Sequence, residues 1–427
     1  MTGLLLFAAS LVLLLLGFRV AFVFGATALA FAWLDSDIGL EVFELLPFRI
    51  YGIMQNFTLM ALPLFIFMGL VLEKSGIAAR LLSSIGELFG PVRGGLAVGV
   101  VLVGAVLAAS TGIVGASVVM MAVISLPVML RHGYAQPLAS GTVAASGTLG
   151  QLIPPSIVLI ILGDMMQISV GELFSAAIIP GVILVLLYLV YILGITYLKP
   201  ELGPAIPTDK PLGLRLKEAG RWVLPVALLI FAVLGSIFAG IASPTESAAV
   251  GALGAIGLAW VYGGLNRGMI DYTATETVKI SAMIFMILIG ATAFSLVFNE
   301  SGATDMVVDF FAQDLGNRWL FLAASMLILF VLGFFLDFLE ICFVVVPILV
   351  PVAYELDIDL LWFGILIALN LQTSFLTPPF GFSLFYLKGA VGDKVSTLAI
   401  YKGVFPFVLI QLVALGLVIA FPSLIGV

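Results

Sequence analysis

Residues Gly141–Asp164 read GTVAASGTLGQLIPPSIVLIILGD, an apolar stretch of membrane length that is broken in its middle. No Lys, Arg, Asp or Glu falls between Arg131 and Asp164, so the segment can cross a bilayer. Pro154 and Pro155 sit near its centre, preceded by Gly147, Thr148, Gly150 and Gln151. A proline has no N–H, so the carbonyls four residues earlier, on Gly150 and Gln151, lose their helical donors. Pro154 suits the first position of a new helix and is expected to start the second half. In hydrocarbon, carbonyls freed this way persist only where protein buries them or a polar cavity satisfies them. Two half-helices meeting mid-membrane offer carbonyl oxygens to a cation and N–H groups to an anion, as in secondary transporters. One such break reads equally well as a kink packed against its neighbours. A second copy separates the two readings.

That copy is Asn370–Gly381, NLQTSFLTPPFG, where Pro378 and Pro379 free the carbonyls of Ser374 and Phe375. The two Pro-Pro pairs lie 224 residues apart, as do Pro127 and Pro351. Gly25 and Gly251 are 226 apart, and so are Ser75-Gly76 and Ser301-Gly302. One matched pair would be noise in a chain with 45 glycines and 20 prolines, but several in order argue for an internal duplication.

Composition supplies the frame. With 63% hydrophobic and 10% charged residues and a mean hydropathy of +1.28, the chain is an all-α polytopic membrane protein. The single cysteine, Cys342, excludes disulfides and cysteine-based metal sites, and the single His132 reads as a surface residue beside Arg131. The first apolar segment lacks a basic start and is expected to remain as the first span.

In order, spans are expected at 2–18, 20–34 and 57–72, followed by an amphipathic surface stretch, Ile77 to Phe89. Gly94 to Leu130 carries no charge for 37 residues, too long for one span and too short for two with a loop. A hairpin entering and leaving by one face fits, with its tip near Ser110-Thr111-Gly112. The broken span 135–163 and a span at 174–197 follow, then a polar linker from Lys199 to Arg221. The second half repeats the order: spans 222–241, 248–264 and 280–298, a hairpin from Trp319 to Val352, a broken span 361–387 and a last span 403–424. Asp337 and Glu340 lie near the second tip, and the returning arm, Ile341 to Val352, is about a dozen residues, too short to cross. The expected division is 1–76 scaffold, 77–90 arm, 91–198 transport part, 199–221 linker, then 222–302 scaffold, 303–318 arm and 319–427 transport part.

Charge orients the chain. With the linker in the cytoplasm, 15 of the 17 Lys and Arg residues fall inside, leaving only Arg49 and Arg318 outside. The first hairpin then enters from the cytoplasm and the second from outside. The halves are inverted, an architecture of alternating-access carriers.

The motifs GTVAASGTLGQLIPPS, LPLFIFMGLVLEKSGIA, GIASPTESAAVGA and NLQTSFLTPPFG resemble the large membrane subunit of tripartite ATP-independent periplasmic (TRAP) transporters, the dicarboxylate-type permease. The resemblance covers nearly the whole chain. It implies a multi-pass protein of a bacterial or archaeal inner membrane that imports an organic acid with sodium (Na+) by an elevator mechanism. It further implies two partners, a small four-span membrane subunit and a periplasmic substrate-binding protein. No GxxxxGK segment is present, so no nucleotide is expected as a partner, and no nucleic acid is expected either.

Sodium is a hard cation and takes oxygen ligands. For a first site the expected residues are Ser110, Thr111 and Gly112 at the tip with Gly150, Ile153 and Pro155 from the broken helix. For a second they are Gly333, Ser374, Thr377 and Phe380, largely through backbone oxygens. Asp337 is the one carboxylate expected deep in the membrane, where an acid is a functional candidate by default. It either binds sodium or caps a half-helix N-terminus nearby, whereas Glu340 reads as a solvated tip residue. A carboxylate substrate is expected near Ser110, Thr111, Ser156, Asp337 and Thr377, facing helix starts at Pro154 and Pro378. The Ser156 hydroxyl is expected to face mainly its own first turn. Three other readings share parts of the pattern. A standalone ion-coupled carboxylate carrier would need no partners, and a channel would not saturate. An intramembrane enzyme lacks the HExxH, Asp-rich or Ser–His context it would need.

Overall fold

The computed structural model describes residues 2–111, 114–314 and 316–426, the side chains of 108–111 and 314 excepted. Among the described residues every regular element is helical. Hydrocarbon demands this, because a helix pairs its backbone groups within one segment. The first half contains α1 (Thr2–Leu15), α2 (Val20–Leu34), α3 (Leu46–Met54), α4 (Ala61–Lys74), α5 (Ile77–Phe89), α6 (Gly95–Thr111), α7 (Val114–Arg131), α8 (Gln136–Thr148), α9 (Ile157–Met165) and α10 (Val170–Leu198). The second contains α11 (Leu212–Phe238), α12 (Pro244–Val261), α13 (Arg267–Glu300), α14 (Ala303–Val308), α15 (Arg318–Leu332), α16 (Phe338–Glu340), α17 (Val346–Glu355), α18 (Leu360–Leu376), α19 (Phe382–Val391) and α20 (Thr397–Ala420). Among the described residues six helical stretches are long and apolar enough to cross a membrane, or seven if the bent α4–α5 pair counts as one.

Local chemistry starts these helices. Ser169, Ser243, Asn266, Asn317, Asp359 and Ser396 each accept a hydrogen bond from an N–H of the following first turn. Each removes one of the four donors a helix start leaves unpaired. Ser243 and Glu246 close a reciprocal box, with Pro244 at the first helical position. The two Ser-Gly landmarks behave alike. Gly76 and Gly302 have φ of 78° and 68°, left-handed values that glycine tolerates, and each turns a long helix into a shorter arm. At the first of these, α5 leaves α4 at 60°.

Several boundaries differ from the sequence expectation. α11 begins at Leu212, inside the stretch read as linker, and α13 begins at Arg267 rather than at 280. With 34 residues, α13 is about 51 Å long against a hydrocarbon core of about 30 Å, so its charged first turns extend beyond the membrane. Hydropathy registers the bilayer, whereas helix length follows backbone hydrogen bonding. The second returning arm is helical over Phe338–Glu355, 18 residues. The dozen expected were too few, so length alone does not stop this arm from crossing.

Packing sorts the helices into two groups. In one, α4 lies along α12 and α13, and α13 lies along α2. Gly290 makes the last approach possible, since a Cβ there would stand 2.5 Å from the Ala21 carbonyl oxygen. Hydroxyl pairs join α1 to α2 through Ser10 and Thr27 at 2.8 Å and α11 to α12 through Ser236 and Ser247 at 2.8 Å. In the other group, α8 runs along α20, where Gly141 and Gly403 bring the two backbones together. A Cβ on either would collide with the facing chain, the small-residue contact typical of membrane helices. α10 lies beside α20, tied to it by a buried bond from Gln411 Nε2 to Tyr188 Oη at 2.8 Å.

Candidate functional site

The first break is a short 3₁₀ turn, Leu149–Gln151, followed by irregular chain up to Ser156. The second lies between Leu376 and Phe382, and both Pro-Pro bonds are cis. The second half-helices start at Ile157 and Phe382. The expected starts at Pro154 and Pro378 are therefore replaced by starts three or four residues later.

The freed carbonyls have different fates. Gln151 O accepts from Ser156 Oγ at 2.6 Å, and Phe375 O accepts from Ser383 Oγ at 2.5 Å. Ser374 O accepts from Thr377 N at 3.0 Å. Ser156 thus serves its own first turn, as expected, and more besides. It is the N-cap of α9, accepting from Leu159 N at 3.4 Å, and it also binds back across the break. By contrast, among the described residues no hydrogen bond reaches the carbonyls of Gly150, Ile153 or Pro155. These three oxygens lie on one seven-residue stretch, 150–156, that is buried except at the half-buried Ile153. Buried acceptors without a donor are uncommon and call for a partner.

At the second break the carbonyls of Gly333 and Phe380 are likewise without a donor among the described residues. Ser374 Oγ donates to Phe330 O at 2.6 Å and Thr377 Oγ1 to Thr373 O at 2.7 Å. Both hydroxyls keep lone pairs free for a cation. Gly333 and Ser374 are in direct contact, since a Cβ on Gly333 would stand 2.5 Å from Ser374 Oγ. The Phe335 and Phe380 rings pack at 5.4 Å. This break is more open than the first, with Pro379 and Phe380 exposed.

Asp337 is half-buried and is the N-cap of α16, its Oδ1 accepting from Phe338 N at 2.8 Å. Of the two roles expected for it, capping is therefore present. Glu340 is also half-buried and accepts from Asp337 N at 3.2 Å, completing a reciprocal box. It is a structural partner of Asp337 and not a solvated tip residue. Gly112 lies outside the described residues, as do the side chains of Ser110 and Thr111, which end α6.

The two breaks face each other through their neighbours. α18 passes the 3₁₀ turn of the first break, α19 packs on α7 and α8, and α9 packs on the returning arm of the second hairpin. Gly115, just past the first tip, lies under the Tyr386 ring of α19, where a Cβ would come within 2.7 Å. Each hairpin thus touches both broken helices. Sequence reasoning missed the stitch holding α18 to α15, where Asn370 Nδ2 donates to Met326 O at 2.7 Å, one turn before the Ser374 bond. An Asn-x-x-x-Ser spacing on one helix face was its only signal. It also missed Gln151 and Gln372, whose amides are fully buried without partners among the described residues. No cluster of three His, Cys, Asp or Glu able to hold a metal occurs among the described residues, so a cation here would rest on carbonyls and hydroxyls.

Comparison with known proteins places this architecture. A family model described as the tripartite ATP-independent periplasmic transporter, DctM component, matches residues 7–424. A C4-dicarboxylate TRAP transporter large permease of Pseudomonas aeruginosa is 31% identical over 88% of this chain and 87% of its own. A sialic acid TRAP transporter large permease of Vibrio cholerae is 31% identical over 96% and 94%. An isethionate TRAP transporter permease of Oleidesulfovibrio alaskensis is 27% identical over 98% of this chain and 65% of its own. The crystal structure of the Alcanivorax borkumensis YdaH transporter superposes over the full length of both chains with a TM-score of 0.67 at 17% identity, a likeness of fold alone. Helical spans, paired breaks and a family match over nearly the whole length agree: the chain belongs to the DctM-component family of tripartite ATP-independent periplasmic transporters, as a multi-pass large permease and not an enzyme.

Proposed function

We propose that this permease imports a small organic acid together with sodium, by an elevator movement of the hairpins and broken helices against the α1–α4 and α11–α13 scaffold. One observation carries the reading: the carbonyls of Gly150, Ile153 and Pro155 lie together on one break, where Gly150 and Pro155 are buried and Ile153 half-buried, with no hydrogen-bond donor among the described residues. Proline at 154 removes the helical donor for Gly150, and irregular backbone leaves the other two outside any ladder. Uncharged oxygens suit sodium, which needs only partial charges to replace its water. Ser374, Thr377 and the Gly333 and Phe380 carbonyls supply a second set. Ser110, Thr111 and Gly112 are assigned to the first set by their position in the sequence, and Asp337 to the second. When bound, sodium would add positive charge that favours an anion near the starts of α9 and α19. Ser156 holds the first break in shape, and Asn370 and Ser374 hold the second against its hairpin.

The relatives are named for C4-dicarboxylates, sialic acid and isethionate. These ligands share an anionic head, which supports an organic acid as cargo. The tripartite family description supports two partners, a small four-span membrane subunit and a periplasmic binding protein in an inner-membrane setting. The charge tracing supports inverted halves with the first hairpin entered from the cytoplasm.

The test is Pro154→Ala with Pro155→Ala in proteoliposomes holding this chain, the small subunit and the binding protein. Two alanines restore N–H groups for Gly150 and Gln151 and favour one continuous helix. Sodium-driven uptake should disappear while membrane insertion stays normal. Native uptake by that variant would sink the ion sites. Robust uptake by the unaltered chain without its partners would favour the standalone carrier.

A further inference from the structure

A cavity of about 300 Å³ opens where α3 and α13 face the end of α9 and the returning arm of the second hairpin. Its one cationic lining residue is Arg49 and its one acidic lining residue is Asp164. Arg49 is exposed and forms no salt bridge among the described residues. In the charge tracing it is one of only two cations on the outward side, against the usual bias. The other, Arg318, lies over the Trp319 ring at 5.1 Å. Arg49 has no such partner among the described residues, so its guanidinium fork is left for a ligand.

The opposite wall is prepared differently. Asp164 Oδ1 accepts from Asn56 Nδ2 at 2.5 Å, and Asn56 is itself fixed by Leu59 N at 3.3 Å. One carboxylate oxygen of Asp164 is thus occupied and the other can still accept a hydrogen bond. A guanidinium pairs two-pronged with a planar carboxylate, whereas a carboxylate repels a second anion and accepts a hydroxyl. The lower wall is apolar, with Leu288, Leu296, Phe343 and Pro347. The geometry points to a reception site for a small hydroxy acid, its carboxylate on Arg49 and its hydroxyl toward Asp164, bridging the scaffold and the moving body. This deepens the transport reading and rests on it for the outward orientation.

The test uses the full chain in detergent with sodium chloride present. Cys342, the one cysteine and fully buried, is changed to Ser, and Asn299→Cys places a reporter in the same cavity. Alkylation by N-ethylmaleimide is timed with 3-hydroxypropionate or propionate as the probe. We expect 3-hydroxypropionate to slow alkylation at least fivefold and propionate to do clearly less. Arg49→Gln should abolish the protection and Arg49→Lys should keep part of it. If Asn299→Cys does not fold, Ser295→Cys serves as the reporter. Unprotected alkylation in the Arg49 protein, or protection that persists in Arg49→Gln, overturns the site. Equal protection by propionate overturns the role of Asp164. The assay needs no transport and no partner subunit, so its failure leaves the sodium-coupled reading standing.

Discussion

Removing one hydroxyl, by Ser156→Ala, should weaken the protein far more than its size suggests. Ser156 and Gln151 are each 0% exposed, and Ser156 Oγ is the donor to Gln151 O at 2.6 Å. That carbonyl cannot recover a helical donor, because the residue four positions on is Pro155. A buried acceptor left unpaired costs about 1–3 kcal/mol. Loss of the long N-cap bond to Leu159 N, at 3.4 Å, adds under about 1 kcal/mol. The sum is about 1–4 kcal/mol. Ser140→Ala is the control, equally buried. Its hydroxyl donates to Gln136 O at 2.7 Å, a carbonyl inside the intact α8 ladder, so removal leaves no orphan and should cost under about 1 kcal/mol. Urea unfolding in mixed micelles, followed by tryptophan fluorescence, measures both variants. Ser383→Ala should resemble Ser156→Ala, since Ser383 serves Phe375 O in the same way. If Ser156→Ala and Ser140→Ala unfold at the same urea concentration, the serine does not hold the break and the reasoning fails.

Gly403→Ala puts a Cβ against the Pro137 carbonyl and should cost about 2–3 kcal/mol by forcing α8 and α20 apart. Gly416→Ala, with nothing within 4 Å, should gain up to about 1 kcal/mol; equal unfolding midpoints for the two would refute the close crossing. Cysteines at Asp37, Gln167 and Glu355 should be labelled from outside and those at Arg93, Arg131 and Lys210 from inside, and labelling of position 131 from outside would break the inverted arrangement. Lys210 bridges Glu87 at 2.7 Å and Glu218 at 3.0 Å, and these carboxylates, Glu87 first, raise its pKa above the ordinary 10.5. A raised lysine contributes its stability below 10.5 and loses it as pH climbs through the folded value. Proteinase K cleavage within the 203–211 stretch, normalised to a free peptide of the same sequence, should therefore stay flat from pH 6 to 9 and quicken only above about 10.5. Lys210→Met should show the faster cleavage already at neutral pH, and unchanged cleavage would show that the bridge does not hold the linker.

How much was legible in advance divides along a physical line. Properties that belong to a residue alone could be read directly from the chain. Proline lacks an N–H wherever it sits, so Pro154-Pro155 and Pro378-Pro379 announced two breaks. Apolar length announced the spans. The turns at Gly76 and Gly302 were visible as a repeated Ser-Gly and prove to share one backbone conformation.

What depends on a second segment arriving from elsewhere could not be read. Whether a freed carbonyl stays free was decided by the path of the returning chain, which brings Ser156 to Gln151 and Ser383 to Phe375 yet leaves Gly150 without a donor among the described residues. The Gly141–Gly403 crossing joins backbones far apart in sequence. Two glycines among 45 gave no hint of each other. Arg49 and Asp164 came to line one cavity only because α3 and the end of α9 pack on the same part of α13 and the second hairpin. A sequence states what each residue lacks or offers, and tertiary packing decides which neighbour supplies or takes it.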